Sequence, residues 1–246
     1  MQYRKLYILA IVLSSFFSCK KENMCDCVKS TGKTNSIYRD VANFNCISTK
    51  DKMEIYLTQG PNYEVRVDAG ANLQRLIKTE LDGETLKVYN TNRCNWVRGY
   101  KHVIKVYITA PYFKHILNGG VGTIESLNTI TQNELSTRIE NSGDIKLKLN
   151  TQSFKGSTHG NGDLYLEGTT KDFAHDYNGT NYLYASDLTV TSYLYLHSVS
   201  IGHAHIKAPE NGLMDIVIDR AGDVYYTGNP ATIHLTKNNK GDLKRE

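Results

Sequence analysis

The stretch Ser142-Gly143-Asp144-Ile145-Lys146-Leu147 returns nineteen residues later as Asn161-Gly162-Asp163-Leu164-Tyr165-Leu166. Weaker copies follow the same plan at Val121-Gly122-Thr123-Ile124, Thr180-Asn181-Tyr182-Leu183, Ile201-Gly202-His203-Ala204, Ala221-Gly222-Asp223-Val224 and Lys240-Gly241-Asp242-Leu243. The turn residue falls at 122, 143, 162, 181, 202, 222 and 241, at intervals of 21, 19, 19, 21, 20 and 19. A period near twenty with two short strands per unit predicts an all-β solenoid whose coils stack on one another. Glycine, or Asn at 181, is expected at the turn because the backbone there needs a positive φ. The apolar residue two places on then points inward, and alternation sends the next one outward. One coil cannot bury its own apolar side, so stability must come from stacking all seven.

Working outward from the repeats, residues 112–246 form the solenoid and residues 37–111 a β-rich part expected to cap one end. Met53-Glu54-Ile55-Tyr56-Leu57, the turn Gln59-Gly60-Pro61-Asn62 and Tyr63-Glu64-Val65-Arg66-Val67 carry a hairpin signal. Leu73 to Leu81 fits a short helix or a strand, and Thr85–Tyr89 and Val103–Ile108 read as strands. Tyr (17) and Gly (19) are plentiful and Pro (4) is scarce, a composition that favours strands and tight turns over helix or disorder.

The N-terminus carries a different signal. Arg4-Lys5 precede an apolar run from Leu6 to Phe17, then Ser18 and Cys19. Twelve helical residues rise about 18 Å, short of a hydrocarbon core of roughly 30 Å. Residues 1–18 are therefore expected to be an export signal rather than a membrane span. Phe16-Phe17-Ser18-Cys19 resembles the bacterial lipobox, in which the cysteine is acylated, although Phe16 replaces the usual aliphatic residue. Residues 19–36 would be the tether, and the membrane the first partner, through lipid on Cys19. The expected location is the cell envelope, as an outer-membrane lipoprotein facing the periplasm or the outside. The net charge of +4 falls to +2 without Arg4 and Lys5, which gives no argument for nucleic acid as a partner. Lipidation of Cys19 leaves Cys25, Cys27, Cys46 and Cys94, an even number that suggests two disulfides in an exported chain. Cys25 and Cys27 would each pair with one of Cys46 and Cys94, because a ring between near neighbours is strained. A zinc site lacks the usual Cys-x-x-Cys spacing.

The repeats, together with Asn72-Leu73-Gln74-Arg75-Leu76-Ile77-Lys78-Thr79-Glu80-Leu81-Asp82-Gly83 and Val106-Tyr107-Ile108-Thr109-Ala110-Pro111, resemble the head GIN, or auto-transporter adhesin, family of Bacteroidetes (a DUF2807-type domain). The resemblance covers roughly residues 40–245. It implies a right-handed, two-layered β-solenoid on a surface or periplasmic lipoprotein, with adhesion as its role and no catalytic residues to carry over. Copies four and five depart from the motif, with Tyr182 and His203 in place of Asp.

Chemistry in the repeats is sparse. Asp144, Asp163, Asp223 and Asp242 come once per twenty residues, unlike calcium-binding rolls, so each is expected to accept backbone N–H bonds in an Asx-turn. The outward position two residues after the Asp column reads Glu125, Lys146, Tyr165, Tyr184, His205, Tyr225, Lys244. Tyr165, Tyr184, His205 and Tyr225 would show rings in one column at about 4.8 Å per rung. Such rings either stack on the sugars of a glycan or stabilise neighbouring rungs. His203-x-His205 lacks a third ligand, so no metal is expected. Gly-x-Ser-x-Gly, His-Glu-x-x-His and P-loop patterns are absent. The expected function is non-enzymatic adhesion, or glycan or protein binding, with no cofactor. A structural or assembly role in the envelope is the alternative, with a carbohydrate-active enzyme third. The end coil, Asp242 to Glu246, is expected to offer an open edge through which a homo-oligomer would form.

Overall fold

The computed structural model describes residues 30–92 and 103–246. Before the repeats lie β1 (Thr34–Arg39), β2 (Cys46–Thr49), β3 (Glu54–Gln59), β4 (Glu64–Gly70), β5 (Ile77–Asp82), β6 (Thr85–Asn90), β7 (Lys105–Ala110) and β8 (His115–Asn118). The repeats contribute β9 (Ile124–Ser126), β10 (Ile130–Ile139), β11 (Ile145–Gly160), β12 (Leu164–Gly179), β13 (Leu183–Ser200), β14 (Ala204–Lys207), β15 (Leu213–Ile218), β16 (Val224–Thr227), β17 (Thr232–Lys237) and β18 (Leu243–Arg245). They form a β-solenoid of about seven turns, with about twenty residues per coil.

One face of the solenoid stacks β9, the first parts of β11, β12 and β13, then β14, β16 and β18, all parallel. The second face stacks β8, β10, the last parts of the same three long strands, then β15 and β17. The middle coils are thus single strands of 16 to 18 residues running through both faces, not pairs of short ones. Ile124, Ile145, Leu164, Leu183, Ala204, Val224 and Leu243 stand in one inward column. The first six are fully buried. On the second face Phe154 stacks on Phe173 in the core, with centroids 5.6 Å apart.

The turn glycines are required for a reason other than the expected one. Positive φ occurs at Gly32, Gly83, Gly160, Gly168, Gly179 and Gly228, not at Gly122, Gly143, Gly162, Gly202, Gly222 or Gly241. A Cβ on any of these six would lie 1.7 to 2.3 Å from a backbone carbonyl oxygen of the neighbouring coil. The glycine is there because coils approach closely, and no side chain fits between them. Asn181 takes the same place fully buried and turns its side chain into a clamp. Its Nδ2 donates to Asn178 O (2.7 Å) and Gly160 O (3.1 Å), and its Oδ1 accepts from Thr158 Oγ1.

The N-terminal part is joined to the same sheet. β2 pairs in parallel with β6 and β8, and β3 with β7 and β9, while β1, β4 and β5 pair antiparallel at this end. β3 and β4 do not form the expected hairpin, because both edges of β3 are taken by β7 and β9 and a strand has only two. β4 lies beyond β7, between it and β1. Leu73–Leu81 is neither wholly helix nor wholly strand, but one 3₁₀ turn over Gln74–Leu76 followed by β5.

Candidate functional site

The outward column reads as expected and runs further. Successive pairings place Tyr38, Arg66, Tyr107, Tyr56, Glu125, Lys146, Tyr165, Tyr184, His205, Tyr225 and Lys244 side by side along one face. Tyr165, Tyr184, His205 and Tyr225 are brought together as one ladder. Tyr165 and Tyr184 lie 4.6 Å apart, Tyr184 and His205 6.1 Å, and His205 and Tyr225 5.0 Å, with planes within 10° of parallel. Lys146 caps the Tyr165 end at 4.9 Å and Lys244 caps the Tyr225 end at 5.6 Å, each cation meeting the negative face of a ring. A second stack, Tyr56 on Tyr107 at 5.0 Å with Arg66 at 4.0 Å over Tyr107, continues the column. Four members, Tyr38, Tyr56, Arg66 and Tyr107, escape a reading confined to the repeats. For Tyr56, Arg66 and Tyr107 the signal is alternation, in Glu54-Ile55-Tyr56-Leu57, Val65-Arg66-Val67 and Val106-Tyr107-Ile108.

This geometry changes what the rings offer. Their faces are spent on one another, so a sugar cannot stack on them as it does on a lone aromatic. What reaches solvent is a row of ring edges and polar groups. Burial, with Asp163 adding to it, pushes the Tyr165 phenol up to about 12. The hydrogen bond to Glu54 and then burial push Tyr56 equally high. These phenols stay protonated at neutral pH, and each donates its proton to a carboxylate of the chain, Tyr56 to Glu54 (2.8 Å) and Tyr165 to Asp163 (3.4 Å).

Beside the ladder runs a groove of about 550 Å³, lined by Glu125, Ser126, Lys146, Leu147, Lys148, Tyr165, Leu166, Glu167, Tyr184, Ser186, Asp187 and His205. Its origin is a β-bulge. Tyr184 pairs with Tyr165 but Asp187 pairs with Glu167, so Ala185 and Ser186 together oppose Leu166. A second register shift follows between Thr170 and Asp172. Two extra residues in β13 turn the 19-residue interval of the preceding coil into the 21 between positions 181 and 202. Bulges re-aim side chains and open local space. Here the bulge sends Ser186 and Asp187 outward opposite the Lys148–Glu167 ion pair (2.8 Å).

The Asp column does not form Asx-turns within its own coils. Asp144 Oδ1 accepts the N–H of Asp163 (2.9 Å), Asp163 Oδ1 that of Tyr182 (2.8 Å) and Asp223 Oδ1 that of Asp242 (2.8 Å). Each carboxylate fastens the next coil. His203 takes the Asp role, its Nδ1 accepting the N–H of Asp223 (3.0 Å). Its ring stands edge-on to Tyr182 and Tyr225, so His203 belongs to the scaffold, whereas His205 stands in the ladder. Burial raises the Asp163 carboxyl above the usual range, against the bond from the Tyr182 N–H. Asp163→Ala should cost about 1.5–3 kcal/mol in urea unfolding, because the Tyr182 N–H loses a charged partner. Asp163→Asn, which keeps an acceptor oxygen, should lose less than half of that. Equal losses in the two variants would contradict the role.

Cys46 is half-buried with a free thiol, 3.2 Å from Asn45 Oδ1. Cys19, Cys25, Cys27 and Cys94 lie outside the described residues, as do the signal segment and most of the tether. No helix among the described residues is long and apolar enough to cross a membrane.

Residues 43–230 match the family model described as "Putative auto-transporter adhesin, head GIN domain" (DUF2807). A solved putative adhesin from Bacteroides fragilis is 26% identical with a TM-score of 0.79, covering 87% of this chain and 97% of its own. A putative adhesin from Parabacteroides distasonis is 15% identical with a TM-score of 0.65, covering 87% and 98%. A putative lipid binding protein from the same species is 17% identical with a TM-score of 0.65, covering 88% and 98%. No curated protein matches the chain. With the family model covering most of its length, the chain belongs to the DUF2807 head GIN domain family.

Proposed function

We propose that the chain is a non-enzymatic adhesin of the cell envelope that holds glycan in the groove beside the tyrosine ladder. The observation that carries this is the groove itself, built where a bulge breaks an otherwise regular stack. Its walls alternate ring edges, hydroxyls, ammonium groups and carboxylates at fixed spacing, a set that pairs with sugar hydroxyls on both the donor and the acceptor side. The family's adhesin description and the B. fragilis relative support binding rather than catalysis. Lipid on Cys19 would fix the solenoid to the outer membrane.

A structural role in the envelope is favoured by one observation. β17 is exposed along its whole length, and Ile233 and Leu235, in register with buried Met214 and Ile216, stand 38% and 46% exposed. Such an open edge can pair with another strand, including one from a second copy.

A glycan array with the wild-type chain and the Tyr165/Tyr184/Tyr225→Ala triple variant separates the two readings. Adhesion through this face predicts glycan binding that falls at least tenfold in the variant. Unchanged binding in the variant removes the ladder from the site. Absence of binding to any glycan favours the structural role.

A further inference from the structure

We infer that the ligand of this groove is a linear, extended, uncharged polysaccharide lying parallel to the solenoid axis, about one sugar residue per coil. This inference rests on the glycan reading above and adds the ligand's shape, direction and charge.

The direction follows from the lining. Glu125, Lys146, Tyr165, Tyr184 and His205 belong to five successive coils, so the groove crosses the strands and follows the axis. At about 4.8 Å per rung its length is roughly 19 Å. A rung is comparable to the advance of one residue in an extended sugar chain. A ligand that advances by one residue per coil meets an outward group of the ladder at every step without bending. A branched or compact glycan meets only one or two rungs, since the groove is a cleft between two columns and not a bowl. Beyond the groove the same column continues to Lys244 at one end and, through Tyr56 and Tyr107, to Tyr38 at the other. It offers further contacts to a long chain but no enclosing wall.

The charge follows from the same residues. The groove carries three carboxylates, Glu125, Glu167 and Asp187, against the two ammonium groups of Lys146 and Lys148. Lys148 is already bound to Glu167 at 2.8 Å, and Lys146 sits over the Tyr165 ring. A polyanion such as a uronate chain would bring its carboxylates against Asp187 and Glu125 with only Lys146 outside an ion pair to receive them, and like charges across an interface are costly. Neutral hydroxyls can accept from the lysines and donate to the carboxylates without that penalty.

The test is a titration of the whole chain with neutral linear oligosaccharides of one to eight residues, in β-1,4- and β-1,3-linked glucose, chito-oligosaccharide and mannose series. Polygalacturonate and the Ser186→Trp variant run alongside. Ser186 is exposed, so tryptophan there fills the groove without disturbing the core. In at least one series, affinity should rise roughly tenfold between two and four residues and change little beyond about five, as the roughly 19 Å groove fills. Ser186→Trp should abolish it with the midpoint of unfolding unchanged. Monosaccharides binding as tightly as hexasaccharides would overturn the linear track while leaving glycan binding standing. Tighter binding of polygalacturonate would overturn the uncharged ligand. Full binding by Ser186→Trp would remove the groove, and no binding in any series would take both readings down together.

Discussion

Gly222→Ala is expected to destabilise the protein by about 3 kcal/mol or more, although the backbone of Gly222 is one that any residue can adopt. A methyl group there would sit 2.1 Å from the carbonyl oxygen of Gly202 and 2.8 Å from that of Ser200. Neither atom is the end of a flexible side chain. Relief requires the two coils to part, yet they are tied at this point by the Gly222 N–H to Ser200 O (3.1 Å) and the Ala204 N–H to Asp223 O (3.0 Å). The loss is a large share of the 5–15 kcal/mol by which a domain is typically stable. Gly83→Ala provides the contrast. Gly83 has a φ of +59° with nothing within 4 Å of the new methyl, so its cost should be only about 1 kcal/mol. Urea unfolding of the two variants measures both. A larger loss for Gly83→Ala than for Gly222→Ala would show that backbone conformation, not the approach of coils, selects glycine in the repeat.

Stability should also fall steeply on mild acidification, and one residue should account for much of it. His175 is wholly enclosed in the core, between Phe173 and Tyr177, in the space left by the missing side chain of Gly156. Desolvation holds its pKa down at about 3, against 6.5 in the unfolded chain. The folded state therefore keeps the imidazole neutral while the unfolded chain takes up a proton as pH drops below 6.5, so stability is lost from pH 6.5 downward. The linkage is worth about 2 kcal/mol at pH 5 and about 4 kcal/mol by pH 3. His115, also lowered by burial and then by Arg138, contributes with the same sign, so the comparison must be made against a variant. His175→Leu should remove about 2 kcal/mol of the difference between urea unfolding at pH 7 and pH 5. An unchanged difference would mean that the imidazole finds a proton, or water, inside the fold.

Much of this was legible in the sequence because a solenoid repeats its side-chain environment with its backbone. One Gly-Asp turn fixes the phase, and alternation then assigns Ile145, Leu164 and Leu183 inward and Lys146, Tyr165 and Tyr184 outward. Three things escaped for physical reasons. The clash that demands glycine at 222 is with another coil, and local sequence cannot show that neighbour. The order of the N-terminal strands depends on which edges are already occupied, so β7 enters between β3 and β4 although the chain reads as a hairpin. The groove arises from a break in the period, which the sequence displays only as an interval of 21 following one of 19. The rings of Tyr165, Tyr184, His205 and Tyr225 stand in the expected column, but their faces turn toward one another, so that edges and not faces are left for solvent.

The most direct measurement is a crystal structure of the chain with the hexasaccharide that the titrations rank highest. The expected result is a sugar chain parallel to the solenoid axis, between the ring edges of Tyr165 and Tyr184 and the side chains of Ser186 and Asp187. Sugar on the second face, at the open edge of β17, or lying along a strand instead of across the coils would contradict it.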